Sequence, residues 1–254
     1  MKVVSLSPSF TEIIFSLRKG GDLEAVTDLC PALERDILRV GSPKVLQIDR
    51  ISECKPDLIF ADIHENRPEE ITALKEKGLK VQSFEIRSIE SVLDAVAEIS
   101  RLLGAREEGE NLIRRIQDQR NQNRDRFQGR EALQTLILLW DRPYLTVNFN
   151  TYVSQLVEAS GGFNVFHEEP VPEIPIELED MIDKKPELLL LPTTPYSFQP
   201  RHLTQFKQYR VFSQIPIRLV DGRLFSRFGP ATYEALKILG GLIDHAREAY
   251  RRIR

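Results

Sequence analysis

Two segments of the chain, far apart in sequence, are nearly alike. Residues 55–61 read KPDLIFA, and residues 185–191 read KPELLLL. In both places a helix-like segment runs into Lys-Pro, and proline ends a helix because it lacks an N–H group and disfavours the α conformation of the preceding residue. The unbroken apolar runs that follow are typical of strands buried on both faces, as in parallel sheets. The chain is therefore predicted to contain two similar α/β halves.

The other predicted elements extend this two-part plan over the whole chain. Strands are expected at 3–6, 23–27, 57–61 and 80–84 in the first half, and at 134–140, 187–191 and 217–220 in the second. Helical segments lie between successive strands, which favours parallel pairing. The predicted fold is α/β, with mainly parallel sheets in two lobes.

Residues 105–127 form one long, mostly polar helical pattern. At 1.5 Å per residue this helix would be about 34 Å long. Its narrow apolar stripe of Leu112, Ile113 and Ile116 suits a helix that lies on a surface or connects two lobes. We expect an N-terminal lobe at 1–104, a connecting backbone helix at 105–128 and a C-terminal lobe at 129–254. A coiled-coil dimer arm is the alternative, but no heptad is sustained.

Composition and charge narrow the functional classes. Charged residues make up 29% of the 254, yet the net charge is −3, which does not favour nucleic acid as a partner. Two cysteines, Cys30 and Cys54, are too few for a disulfide scaffold, so reduced thiols are expected. No apolar run approaches the roughly 20 residues that span a bilayer. The charged middle helix disfavours a large apolar dimer face, which predicts a monomer.

The predicted location follows from the N-terminal residues. A strand pattern begins almost directly after Met1, with no targeting segment before it. We therefore expect a cytoplasmic protein, or a periplasmic or otherwise extracytoplasmic one if a signal peptide has been lost from this sequence.

Familiar catalytic signatures are absent from the sequence. It contains no G-x-G-x-x-G motif, P-loop, G-x-S-x-G elbow or C-x-x-C pair. The His64-Glu65 pair lacks the second histidine that a zinc protease has one helical turn later. Catalysis by a familiar motif is therefore not expected.

Polar and aromatic side chains follow the predicted strands, where open α/β sheets hold ligands. Two lobes whose loops face each other imply a cleft. Aromatic rings offer flat apolar surface for a large ring or chelate, and an arginine fork can clamp a carboxylate or phosphate. The candidate ligand-binding residues are Ser7, Cys30, Asp62, His64, Tyr144, Tyr196, Phe225 and Arg227. The alternative for Tyr196 and Phe225 is that they only cover the core. Protein ligands for a metal stay unknown, because Cys30, His64, His167 and His202 are irregularly spaced.

Taken together, several segments resemble the helical-backbone metal-receptor superfamily, the substrate-binding proteins that serve importers of iron-siderophores, haem and cobalamin. The resemblance rests on residues 4–12 (VSLSPSFTE), 55–59 (KPDLI), 156–166 and the long middle helix. Residues 65–67, 140–144, 195–198 and 220–226 are most similar to members without a signal peptide. The resemblance implies two α/β lobes joined by one rigid helix, with a ligand cleft between them.

The resemblance also implies a ligand and a partner. The ligand would be an iron chelate, haem or a corrinoid, with no further cofactor required, and Arg227 matches a cleft arginine of cobalamin binders. Positions where cobalamin binders have aromatic rings hold Cys30, Asp62, Leu145 and Ile174. Importer receptors present one acidic residue on each lobe to the ABC permease. Glu69 or Glu70 fits this role in the first lobe, but the second-lobe loop has Arg201 and His202, which weakens permease docking as an expectation.

The predicted function is therefore a non-catalytic receptor that holds a metal chelate or corrinoid. One alternative is a metal-handling enzyme of chelatase type, with His64 or His202 as the base or metal relay. The other is the receptor component of an ABC importer whose signal peptide is missing from this sequence.

Overall fold

The computed structural model describes residues 1–31 and 36–253. The chain divides into two compact units. Unit 1 comprises Met1–Ile86 and Glu90–Arg114, and unit 2 comprises Arg87–Ile89 and Arg115–Arg254. In the described part of the chain, no helix is both long and apolar enough to cross a membrane.

Unit 1 is built on a parallel five-stranded sheet. Its elements up to residue 84 are β1 (Val3–Ser5), α1 (Pro8–Ser16), β2 (Leu23–Val26), β3 (Leu38–Arg39), β4 (Gly41–Ser42), β5 (Val45–Leu46), α2 (Ile48–Glu53), β6 (Leu58–Asp62), α3 (Pro68–Glu76) and β7 (Val81–Phe84). The strand order is β3-β2-β1-β6-β7, with parallel pairing throughout. The short strands β4 and β5 form an antiparallel hairpin beside it.

Two helices follow, α4 (Ile89–Leu102) and α5 (Arg106–Phe127). Gly104 separates them at a φ of 61°, a left-handed conformation that glycine adopts without strain. The division between the units falls inside α5, after Arg114. The limits of lobes and connecting helix expected from the sequence, at 104/105 and 128/129, therefore stay a prediction.

Unit 2 contains the remaining elements. They are β8 (Leu133–Ile137), β9 (Tyr144–Val147), α6 (Tyr152–Glu158), β10 (Gly162–Asn164), β11 (Glu173–Ile176), α7 (Leu178–Asp183), β12 (Leu188–Pro192), α8 (Pro200–Lys207), α9 (Arg210–Ser213), β13 (Ile217–Val220), α10 (Arg223–Ser226) and α11 (Pro230–Ile253). The strands β10-β8-β12-β13 form a parallel sheet, and β9 pairs antiparallel with β11. This order repeats β2-β1-β6-β7 of unit 1, so the predicted pair of similar α/β halves is confirmed.

The two Lys-Pro segments have the same structure in both units. Lys55 and Lys185 have left-handed φ values of 48° and 49° and follow the ends of α2 and α7. In each unit, the acidic residue after the proline binds a backbone N–H group beside or in the first strand. Lys2 N–H donates to Asp57 Oδ2 at 2.7 Å, and Gln134 N–H donates to Glu187 Oε2 at 3.1 Å. The repeated sequence therefore aligns β6 with β1 and β12 with β8.

Short elements account for the differences from the predicted strands. The strand expected at 134–140 ends at Ile137, because the chain turns and Leu139 N–H donates to Leu145 O at 2.8 Å. The hairpin β4–β5 and the pair β9–β11 were not predicted, since these antiparallel pairs lie outside the α/β alternation from which the other strands were predicted.

Candidate functional site

The candidate residues lie at or beyond the carboxyl ends of the parallel strands of each unit. In unit 1, Ser7 and Cys30 belong to a buried polar network after β1 and β2. Ser7 is the N-cap of α1, and its Oγ accepts a hydrogen bond from the Ser9 N–H at 3.3 Å. Thr11 Oγ1 lies 2.8 Å from Ser5 Oγ and 3.2 Å from Cys30 Sγ. Both candidate side chains are thus inside unit 1, and their contact with a ligand stays a prediction.

Arg39 holds the loop that contains Cys30. Its Nη1 donates to the carbonyls of Thr27 and Cys30 at 2.9 Å each, and its Nη2 donates to Pro31 O at 3.0 Å. Sequence reasoning missed this residue, because only the pairing of β2 with β3 brings it to the loop.

Asp62 ends β6 and organises the turn that follows. Its Oδ1 accepts the N–H groups of His64 at 2.7 Å and Glu65 at 3.3 Å, which is an Asx turn. Burial raises the pKa of the Asp62 carboxyl, and the two backbone N–H groups oppose the rise. The side chain of His64 is exposed, with Nε2 3.8 Å from Glu85 Oε1.

Asn66 fixes this turn to two neighbouring segments. Its Oδ1 accepts the Asp62 N–H at 2.9 Å, and its Nδ2 donates to Leu6 O at 3.1 Å and Pro43 O at 3.0 Å. The side chain is 1% exposed, so these bonds compensate a buried amide. Asparagine is common in turns, and no signal in the sequence marked this one as a link to residue 6.

The same edge of unit 1 exposes aliphatic side chains. Leu29, Val45 and Ile63 are 61%, 59% and 39% exposed; Leu29 and Ile63 follow β2 and β6, and Val45 begins β5. Lys44 Nζ donates to His64 O at 2.7 Å, which joins two of these segments. This edge therefore presents apolar surface beside a rigid polar turn.

In unit 2, Tyr196 belongs to an aromatic cluster beyond the carboxyl ends of β8 and β12. Its ring contacts Trp140, Phe198 and His202 edge-on, with centroid distances of 5.5, 4.8 and 5.6 Å. Its Oη lies 3.3 Å from Asp141 Oδ2 and 3.4 Å from His202 Nε2. Phe198 and His202 are buried, whereas Trp140 is 40% exposed. The cluster thus combines the buried imidazole of His202 with the exposed indole ring of Trp140.

Tyr144 and Phe225 have more internal positions. Tyr144 packs against the core of unit 2, 5.9 Å from the Phe206 ring, and burial together with the nearby Asp141 charge raises the pKa of its phenol. Phe225 lies in α10 and is buried. This placement agrees with the alternative that Phe225 covers the core.

Arg227 follows α10, and a side chain of α6 forms a hydrogen bond with its backbone carbonyl. Tyr152 Oη donates to Arg227 O at 3.1 Å and lies 2.8 Å from Thr232 Oγ1. Burial raises the pKa of Tyr152 well above its usual range, so this hydroxyl stays a hydrogen-bond donor. The Arg227 side chain is half-buried.

The loops after β12 and β13 are tied together. Gly222 N–H donates to Thr193 Oγ1 at 3.1 Å, and a Cβ on Gly222 would lie 2.4 Å from the side chain of Thr194. Glycine is required at this close approach. The chain thereby brings the loop of Tyr196 and the segment of Arg227 to one edge of unit 2.

Metal ligands do not assemble in the described residues: no group of three or more His, Cys, Asp or Glu side chains is placed to hold a metal ion there. His167 instead lies between the rings of Phe149 and Phe163, at 5.0 and 5.2 Å, with Nδ1 2.7 Å from Glu158 Oε1. Both cysteines, Cys30 and Cys54, are free thiols.

Comparison with known proteins gives consistent similarities. Residues 3–216 match the family of periplasmic binding proteins. The vitamin B12-binding protein of Vibrio cholerae serotype O1 is 23% identical over 190 residues, which cover 74% of this chain and 69% of that protein. The structure of the periplasmic vitamin B12 binding protein BtuF of Vibrio cholerae aligns with a TM-score of 0.78 and 22% identity, covering 97% of both chains. The periplasmic heme-binding protein RhuT from Roseiflexus sp. RS-1 aligns with a TM-score of 0.80 and 20% identity, covering 100% of this chain and 99% of that one.

Proposed function

We propose, on the premise that this chain belongs to the periplasmic binding protein family, that it is a receptor for a metal macrocycle of the corrinoid or haem class. Family membership confirms the predicted resemblance and the predicted class, a binding protein without catalytic activity. It gives the chelatase alternative no support. The ligand is proposed because the named relatives bind vitamin B12 or haem.

The observation that carries this proposal is exposed apolar surface beside positioned polar groups, at the carboxyl ends of the parallel strands in each unit. Leu29, Val45 and Ile63 supply it in unit 1, and Trp140 supplies it in unit 2. Small-molecule sites in proteins are mainly apolar, with a few positioned polar groups. A large, mostly apolar ring system fits this surface better than a small hydrophilic solute does.

Polar contacts are proposed for the candidate residues that the structure leaves accessible or half-buried. They are His64 in unit 1, and Tyr196 and Arg227 in unit 2. Buried Ser7, Cys30, Asp62 and Phe225 would act by shaping the loops that carry these contacts. Half-buried Tyr144 would act in the same way.

Binding can be measured with the single tryptophan of the chain, Trp140, as the reporter. Cyanocobalamin, hemin and a ferric siderophore would be titrated separately, with tryptophan fluorescence and thermal unfolding as readouts. A ligand at 100 times its Kd should raise the free energy of unfolding by about 2.7 kcal/mol. If neither cyanocobalamin nor hemin changes the fluorescence or the thermal midpoint, the proposal is overturned, whatever the siderophore does.

A matched pair of substitutions tests the apolar edge. Ile63→Ala removes an exposed isoleucine at the proposed site, and Ile238→Ala removes a similarly exposed one from α11. We expect weaker binding for Ile63→Ala alone. Equal affinities of the two variants would contradict a role of this edge in binding.

A second part of the proposal concerns location and partner. The sequence predicted a cytoplasmic protein, but the matched family and the named relatives are periplasmic. We therefore propose the alternative, an extracytoplasmic receptor that delivers its ligand to an ABC permease. Fractionation of host cells should recover the protein with extracytoplasmic markers, and recovery with cytosolic markers would contradict this location.

A further inference from the structure

We infer that Asp141, within the aromatic cluster of unit 2, selects ligands whose periphery carries amide N–H groups over ligands whose periphery carries carboxylates. This inference rests on the proposed function and narrows its ligand class to the amide-bearing corrinoids. The evidence is the direction of a hydrogen-bond chain and the exposed ring beside its end. The hydrogen-bond chain and the exposed ring lie entirely in unit 2 and comprise Trp140, Asp141, Tyr196 and His202.

The direction of the chain follows from the buried imidazole. The backbone N–H of Gln199 donates to His202 Nδ1 at 2.7 Å, a shorter contact than the 3.2 Å from Nδ1 to Gln199 O, so we assign Nδ1 as the acceptor and Nε2 as the donor. His202 Nε2–H then donates to Tyr196 Oη over 3.4 Å, and the phenol donates its own proton to Asp141 Oδ2 over 3.3 Å. With Nδ1 as the acceptor, the Nε2–H group can only donate, and the phenol passes its own proton to the carboxylate. The chain therefore ends in a group that only accepts.

The Asp141 carboxylate retains acceptor capacity for a ligand. A carboxylate offers about four lone-pair sites. Within residues 1–31 and 36–253, Tyr196 is the one side chain that donates to it, and no salt bridge neutralises it. Its side chain is half-buried, so its charge is less screened than that of a fully exposed residue. The neighbouring Arg142 is exposed and forms no salt bridge with it.

The exposed ring of Trp140 places an apolar contact directly beside this acceptor. A ring system that lies against Trp140 would bring its peripheral substituents to Asp141. Amide substituents would donate N–H groups to the carboxylate, and hydrogen bonds to charged groups are stronger than neutral ones. Carboxylate substituents would meet a like charge, which disfavours binding. Corrinoids carry peripheral amides, whereas haem carries peripheral carboxylates.

The test compares two probes on three proteins. Dicyanocobinamide supplies the amide periphery and hemin supplies the carboxylate periphery, and the ratio of their Kd values is the readout. The proteins are the wild type, Asp141→Asn, and the control Asp183→Asn, which changes an exposed carboxylate at the end of α7. Asparagine at 141 can still accept the Tyr196 hydroxyl, so the fold should be kept, and thermal unfolding verifies this.

We expect the wild type and Asp183→Asn to prefer dicyanocobinamide, and Asp141→Asn to lower that preference about tenfold or more. The wild-type preference should also shrink as salt is added, because screening weakens repulsion between charges, while that of Asp141→Asn should change less.

An unchanged ratio in folded Asp141→Asn, or a wild type that prefers hemin, would overturn the inference while leaving the proposed function in place. No binding of cyanocobalamin, dicyanocobinamide or hemin would overturn both.

Discussion

Replacing Gly240 by alanine should destabilise unit 2, whereas the same substitution at Gly241 should stabilise it. Both glycines lie inside α11, where alanine is favoured over glycine by about 1 kcal/mol. A Cβ at Gly241 would have nothing within 4 Å, but a Cβ at Gly240 would lie 2.7 Å from Asn123 Oδ1. Substitution at Gly241 therefore measures the effect of helix propensity alone, whereas substitution at Gly240 adds the effect of a clash with Asn123.

The size of the effect follows from the bonds of Asn123, which is 2% exposed. Its Nδ2 donates to Leu236 O at 2.9 Å, and its Oδ1 accepts from Gln119 Nε2 at 3.3 Å. A methyl group at 240 would displace this amide and break both bonds. Leaving buried polar groups unsatisfied would cost about 2–4 kcal/mol in total. After the gain in helix propensity, the free energy of unfolding should fall by about 1–3 kcal/mol.

Urea unfolding followed by Trp140 fluorescence measures this change, because Trp140 lies in unit 2. Gly241→Ala should raise the free energy of unfolding by about 0.5–1 kcal/mol. In an Asn123→Ala background, Gly240→Ala should lose most of its penalty, since the clashing amide is gone. Equal stabilisation by both glycine substitutions, or an undiminished penalty without Asn123, would refute the reasoning.

Three further predictions concern single side chains. Asp62→Asn keeps an acceptor for the turn. Because the pKa of Asp62 is raised in the folded protein, the wild type loses stability as the pH rises above about 3.9. The urea midpoint of the variant should therefore exceed that of the wild type by a margin that grows with pH and vanishes in acid. Lys55→Gly should raise the free energy of unfolding by up to about 1 kcal/mol, and with it the thermal midpoint, because Lys55 has a left-handed φ of 48°. A lower midpoint would contradict this. Tyr152→Phe removes bonds to Arg227 O and Thr232, so chemical denaturation should show a loss of about 1–3 kcal/mol, and an unchanged midpoint would count against it.

Much of the fold could be predicted from local pattern. Ser7 precedes the first turn of α1 and is its N-cap, a position that serine commonly takes. Gly161 follows α6 with a φ of 90°, a conformation that glycine commonly adopts after a helix. The Lys-Pro repeat predicted two similar halves, because proline and the buried apolar run act on residues next to them in sequence. The antiparallel pairs β4–β5 and β9–β11 escaped prediction for the opposite reason, since their pairing partners rather than a sequence pattern define them.

The candidate residues were chosen for their position after predicted strands, and that position does not show their exposure. Phe225 and Cys30 follow strands, as expected, yet both are buried. Their position in the chain shows which edge of a sheet they reach. It does not show whether a side chain turns toward solvent, because that depends on the helices packed beside the loop.

The sequence by itself determined the two-part α/β plan, the order of its alternating strands and helices, and the edge at which each of their loops lies. These features depend on neighbours a few residues away, through caps, proline and apolar periodicity. Only the tertiary structure decided which groups meet there: Asn66 bonds to a carbonyl 60 residues away, and Tyr196 to a carboxylate 55 residues away. Such contacts form only after sheets and helices pack, so no local pattern specifies them.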